Sequence, residues 1–175
     1  MEITLIRHTS VNVDSGICYG QSDVEVSNNF EEEAKEVFNS IKNEKFDAVF
    51  SSPLSRCTKL ANYCGFPKPF LDERIMELNF GEWEMKEWNE INDPQLKRWY
   101  SNWIDEIPTN GESFKEQILR VNNFIFELHN TGYKSIAIFA HAGVIRSFGV
   151  ILDKYPIENA FLYEVNYGQV IKFKL

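Results

Sequence analysis

Cysteine is scarce: Cys18, Cys57 and Cys64 are the only three in 175 residues, and no two of them form a CxxC pair. That spacing argues against a disulfide framework and a thiolate zinc site, and it fits a reducing compartment. Positive charge is also short. Lysine and arginine number 18 against 26 aspartates and glutamates, a net charge of −8, which disfavours nonspecific binding to nucleic acid or to an anionic membrane. No apolar run approaches the ~18 residues of a membrane span, and no basic segment followed by an apolar signal core opens the chain. A soluble, cytoplasmic protein with a small molecule as partner is the expectation. Internal repeats and low-complexity linkers are missing too. With 43% hydrophobic residues to fill a core, residues 1–175 are expected to form one domain, although the length would accommodate two small ones.

What is present is an alternation of short apolar runs and helical periods. Ile3 to Ile6, Ala48 to Ser51 and Ile136 to Ala140 read as strands. Phe30, Ala34, Val37, Phe38 and Ile41 share one helical face, with Ser27 or Asn28 as N-cap. Glu31, Glu32 and Glu33 then complement the positive helix end as a solvated face. Ser52 and Pro53 are expected to start a helix whose buried stripe is Leu54, Cys57, Leu60 and Ala61. Cys57, on that stripe and without an activating partner, reads as core. Asp93-Pro94 opens another helix, and Trp99, Tyr100 and Trp103 nearby read as core rather than as a lid. Ser113-x-x-Glu116 is a capping box for a helix carrying Ile118, Val121, Ile125 and Leu128, which Gly132 can end and on which His129 is a surface residue. Gly143 to Leu152 continues as a helix. Phe161 to Val165 and Val170 to Phe173, around Asn166-Tyr167-Gly168, suggest a terminal hairpin. This alternation implies an α/β fold, three-layer α/β/α with a mostly parallel central sheet.

Two of the three histidines, His8 and His141, stand where apolar strands open into loops, the edge at which open α/β sheets bind ligands. Arg7 precedes His8, and Arg56 lies on the first turn after the strand ending at Ser51. Two guanidinium forks, the amides of helix starts and two imidazoles read as a phosphate pocket with a nucleophilic imidazole. Unaided hydrolysis of phosphate monoesters is extremely slow, with enzymatic accelerations reaching ~10²¹. Without an evident metal cage, the protein's own cations would carry the charge. His8 would attack through one ring nitrogen while the other donates to a backbone carbonyl, and a protonated His141 would add a third positive donor.

Five ordered blocks span almost the whole chain: Arg7-His8-Thr9, Ser51-Ser52-Pro53-Leu54-Ser55-Arg56-Cys57, Glu77-Leu78-Asn79-Phe80-Gly81-Glu82-Trp83-Glu84, Gly111-Glu112-Ser113 and His141-Ala142-Gly143-Val144. Together they resemble the histidine phosphatase superfamily, with its phosphoglycerate-mutase-like fold. The resemblance implies a phosphatase without metal or cofactor, a phosphohistidine at His8, phosphate contacts from Arg7, Arg56, His141 and Ala142, and Glu77 as the proton donor. Glu82, Glu84 and Glu112 are weaker candidates, since a phosphate pocket should avoid surplus carboxylates. Thr9 stands where many members have glycine, and the loop from Arg7 to Gly20 is one residue shorter than in typical mutases. Ser10 and Asn12 are the candidate hydroxyl and amide there, and Gly20 and Gln21 match the contact loop. The Arg-His-Thr variant, the short length and the stretch Cys18 to Asp23 are most similar to the superfamily's α-ribazole phosphatases, which remove the 5′-phosphate from α-ribazole 5′-phosphate in cobalamin nucleotide-loop assembly. The apparent lack of long insertions favours release to water over a mutase's transfer back to substrate. Alternatives are a phosphatase of another small metabolite, such as a sugar phosphate or nucleotide, a phosphoglycerate mutase, and a protein phosphohistidine phosphatase. A noncatalytic phosphate-binding module is opposed by Glu77, because binding alone needs no proton donor. The sequence leaves a homodimer open.

Overall fold

The computed structural model describes all 175 residues. Its strands are β1 (Glu2–Arg7), β2 (Ala48–Ser51), β3 (Phe70–Leu71), β4 (Ser135–Ala140) and β5 (Val170–Lys174), and its helices are α1 (Phe30–Ile41), α2 (Ser55–Tyr63), α3 (Pro94–Ser101), α4 (Phe114–His129) and α5 (Ala142–Ile151). The strands form one sheet in the order β3-β2-β4-β1-β5. All neighbours pair in parallel except β5, which runs antiparallel to β1.

β4 shows why its run is apolar throughout. Ile136, Ile138 and Ala140 face one core with residues of α4 and α5, including Val121, Phe124 and Val144. Ala137 and Phe139 face the other with residues of α1 and α2, including Val37, Cys57 and Leu60. A strand covered on both faces loses the alternation of a half-exposed one. The result is the expected three-layer α/β/α arrangement of the phosphoglycerate-mutase-like fold. Helix starts follow local chemistry: Ser113 and Glu116 exchange both bonds of a capping box at α4, and the Asp93 carboxylate accepts from the Gln95 amide beside Pro94 at α3.

Several local expectations are corrected. The N-cap of α1 is Asn29, and its side chain makes no capping bond; the Ser27 hydroxyl accepts from the Asn29 amide one turn earlier. α2 begins at Ser55 after an extended Leu54. Ser52-Pro53 is therefore a turn ahead of the helix, which frees the Ser52 hydroxyl to reach His141. The terminal hairpin does not form. Ile157–Leu162 winds as a 3-10 helix because Phe161 packs on Trp103 and Phe114, with ring centroids 4.5 and 5.3 Å away, while β5 pairs with β1 instead.

One pairing sets up the site. β1 and β4 are neighbours with Arg7 opposite Ala140, so the next residues, His8 and His141, leave the sheet side by side at the strand spacing of about 4.8 Å.

Candidate active site

The two imidazoles stand edge to face with centroids 5.1 Å apart. His8 is 2% exposed and His141 fully buried. His8 Nδ1 lies 2.7 Å from the Thr9 carbonyl oxygen. A carbonyl can only accept, so Nδ1 carries the proton and Nε2 keeps its lone pair. His141 Nε2 is 2.8 Å from the Ser52 hydroxyl.

The two arginines differ in placement. Arg7 donates from Nη1 to the Val165 carbonyl at 2.5 Å, and its guanidinium carbon lies 3.9 Å from the centroid of the Tyr167 ring. Arg56 is fully buried and donates to the carbonyls of Ser22 and Gly20 at 2.9 and 2.6 Å. In both residues Nε is buried without any partner. A buried donor left unmade costs about 1–3 kcal/mol, so each fork keeps one donor free for an acceptor that the chain itself does not supply.

These cations determine the charge of the histidines. Burial first, then the neighbouring Arg56, lowers the pKa of His8 to about 3. The same causes push His141 well below the ordinary value, with His8 and Arg7 adding to them. Both rings are neutral in the ligand-free site. That suits His8 as a nucleophile and corrects the expectation of a standing imidazolium at His141; an incoming anion is what would favour its protonation. Cys57 does have a polar neighbour, its Sγ lying 3.5 Å from His141 Nε2 and 3.4 Å from the Ala140 carbonyl oxygen. Burial pushes its pKa up to about 12, so it remains a thiol of the core.

The linkage sign follows from these directions. With folded-state pKa values below the unfolded value of 6.5, both histidines take protons more readily in the unfolded chain. Their contribution is complete above about pH 6.5 and is lost on acidification, at most about 1.4 kcal/mol per pH unit for each ring. Melting temperatures are expected to fall between about pH 6.5 and about pH 5, above the carboxylate range, with a shallower slope in His8→Phe. A flat profile there would contradict the neutral pair.

Glu77 and His8 line the same cavity of about 240 Å³. The Glu77 carboxylate accepts from the Leu78 amide at 2.9 Å, from Gln117 Nε2 at 3.2 Å and from the Gly143 amide at 3.1 and 3.2 Å. The last contact seats the carboxyl group on the first turn of α5. It requires glycine: a Cβ at position 143 would lie 2.2 Å from Glu77 Oε1 and 2.8 Å from Gln117 Oε1. Gly143→Ala should therefore keep the fold while displacing the acid, lowering kcat by on the order of 10²-fold. An unchanged melting temperature with activity within twofold of the parent would refute this seat.

The sequence reading missed two residues that hold Glu77. Arg120 donates to the carbonyls of Arg74, Met76 and Glu77 at 2.7, 2.8 and 2.9 Å and pairs with Glu112 at 2.7 Å, fixing the loop that carries the acid. Gln117 is fully buried on α4 among Phe114, Val121 and Phe124. A polar residue in that apolar stripe was the available signal.

The remaining candidates divide. Ala142 borders the cavity together with Arg7, His8 and Glu77, whereas Arg56 and His141 do not line it. The Gly20 carbonyl holds Arg56, and a Cβ there would meet the Leu78 carbonyl oxygen at 1.9 Å. Gln21 donates to the Glu77 carbonyl at 3.0 Å and so braces the acid's loop from outside the cavity. Ser10 and Asn12 are not brought to the pocket. The Ser10 amide and hydroxyl both donate to Glu33, which gives one of the three first-turn glutamates a structural task beyond a solvated face. Asn12 is exposed. Among the weaker carboxylates, Glu84 anchors the amides of Gln21 and Phe80, Glu112 accepts from the Asn79 amide, and Glu82 accepts from Asn110.

Ile17, Tyr19, Leu78, Phe80, Trp88 and Phe161 also line the cavity. Trp99 stacks behind Trp88 at 5.6 Å, and Trp103 backs Phe161. Neither borders the cavity, but both stiffen residues that do; the core reading is corrected, since Trp99 and Trp103 are only half-buried and Tyr100 is 58% exposed.

Residues 3–175 match the family model of the histidine phosphatase superfamily, branch 1. The chain is 29% identical over 177 residues to the adenosylcobalamin/alpha-ribazole phosphatase of Escherichia coli K12, covering 96% of this chain and 87% of that protein. It is 28% identical over 163 residues to putative phosphoserine phosphatase 2 of Hydrogenobacter thermophilus, covering 89% and 80%. The crystal structure of the alpha-ribazole phosphatase from Shigella flexneri superposes with a TM-score of 0.91 at 26% identity, over 100% of this chain and 91% of that one. No helix is long and apolar enough to cross a membrane.

Proposed function

The chain belongs to the histidine phosphatase superfamily and is a phosphatase, and on that basis we propose that it hydrolyses α-ribazole 5′-phosphate through a phosphohistidine at His8. The phosphoryl group sits over His8, with its oxygens taken by Arg7, which lines the cavity, and by Arg56 and His141, which lie buried behind that lining and are reached as the anion enters. His8 Nε2 forms the bond to phosphorus as the ester P–O bond breaks, and Glu77 gives its proton to the departing alkoxide. Water then attacks phosphorus, Glu77 takes a proton back, and the Nε2–P bond breaks to release phosphate. His141 donates to the charge that develops on the phosphoryl oxygens.

The polarity of the cavity carries this reading. Its lining combines Arg7, His8 and Glu77 with the rings of Tyr19, Phe80, Trp88 and Phe161, a mixture suited to a phosphate joined through a sugar to a planar benzimidazole. The test is a substrate panel of α-ribazole 5′-phosphate, O-phosphoserine, 3-phosphoglycerate, fructose bisphosphate and a phosphohistidine protein, scored for hydrolysis and for transfer. α-Ribazole 5′-phosphate is expected to lead in kcat/KM by about tenfold or more, with release to water. A preference for O-phosphoserine or for the phosphoprotein, or transfer between the positions of phosphoglycerate, would overturn the assignment.

A further inference from the structure

Two polar side chains of the cavity lining, Arg146 and Gln117, are not used by the catalytic steps. Arg146, half-buried on α5, borders the cavity. It is aimed by its own contacts: Nε donates to the Tyr163 carbonyl at 3.2 Å, and the guanidinium carbon lies 5.0 Å from the Phe161 ring centroid. The Tyr155 hydroxyl donates to its backbone carbonyl at 3.3 Å. Nη1 and Nη2 make no hydrogen bond or ion pair within the chain. Gln117 borders the same cavity. With Nε2 committed to the Glu77 carboxylate at 3.2 Å, its Oε1 is a buried acceptor with no partner.

We infer that Arg146 and Gln117 together form a subsite for a sugar hydroxyl of the leaving alcohol. The pair offers donors and one acceptor. A carboxylate or second phosphate would take the donors but leave Oε1 unpaired and facing negative charge. An alkyl chain would satisfy neither. A hydroxyl both accepts and donates, so a single neutral group meets both partners, whereas an amino acid would need its carboxylate and its ammonium for the same two contacts. The inference rests on the phosphatase reading and sharpens it, because it names the feature that separates a sugar-linked ester from any other aromatic ester.

Competition against hydrolysis of p-nitrophenyl phosphate tests this without requiring turnover of the probes. Adenosine 5′-monophosphate is expected to have an inhibition constant about tenfold or more below that of 2′,3′-dideoxyadenosine 5′-monophosphate, the scale of a hydrogen bond to a charged group. In Arg146→Met, and separately in Gln117→Leu, that ratio should shrink to within about threefold of unity. Arg146→Lys, which keeps the charge but not the fork, serves where the methionine variant does not fold and should also lose part of the ratio. A wild-type ratio near one would overturn the inference, as would a ratio untouched by the substitutions. So would O-phosphoserine losing more affinity than the ribonucleotide in Arg146→Met, which would assign the arginine to a carboxylate. Failure of the wild-type enzyme to hydrolyse p-nitrophenyl phosphate at all would count against the phosphatase reading itself.

Discussion

His8→Ala is expected to lower kcat on every phosphate monoester by on the order of 10⁴-fold or more and to abolish the covalent intermediate. The size follows from the site. Nδ1 is committed to the Thr9 carbonyl, and burial with Arg56 keeps the ring neutral, so Nε2 presents a lone pair to the phosphoryl group at all working pH values. His141 does not take over: its Nε2 is held at the Ser52 hydroxyl and it does not line the cavity. Alanine removes a ring whose burial already disfavours its charged form, so the variant should fold. Retention of the parent's near-ultraviolet circular dichroism together with the loss of rate would separate chemistry from folding. A folded variant with activity within tenfold of the parent would remove His8 from its role.

Glu77→Gln should have an effect that depends on the leaving group. For alkyl esters, whose alkoxide needs a proton as the P–O bond breaks, the phosphorylation rate should drop by about 10²–10⁴-fold. For p-nitrophenyl phosphate, whose phenolate leaves unprotonated, that step should change only a few-fold. Water attack on the phosphoenzyme still needs a base, so this variant should release a burst of about one nitrophenol per site and then turn over slowly. Glutamine is close in shape, and its carbonyl can still accept from the Leu78 and Gly143 amides that hold the carboxylate now. Pre-steady-state rates make the comparison. Equal slowing of phosphorylation for both kinds of ester would take the acid role from Glu77.

The strands that carry the chemistry were legible because they are buried on both faces: an unbroken apolar run such as Ile136 to Ala140 has few other uses, and a histidine straight after it is conspicuous. That His8 and His141 meet was not legible from periodicity, because it depends on β1 pairing with β4, two segments more than a hundred residues apart in the sequence. The hairpin expected at the C-terminal end failed for a related reason. Phe161 looks like a strand residue by composition, but its contacts with Trp103 and Arg146 bend that segment into a 3-10 turn beside the cavity. Glu33 looked like one of three equivalent surface carboxylates, and only the loop returning at Ser10 distinguishes it. Arg120 and Gln117 act through backbone carbonyls and through Glu77, and such contacts leave no local pattern beyond a polar residue in an apolar stripe.

The central claim is a phosphoryl group on one nitrogen of one side chain. Rapid acid-free quenching of the wild-type enzyme with a ³²P-labelled monoester, followed by peptide mapping, addresses it directly. The account predicts a single label, stable in base and lost in acid as a phosphoramidate is, on the peptide containing His8. Label on another residue, or product formed at full rate with no phosphoenzyme at any time, would contradict it.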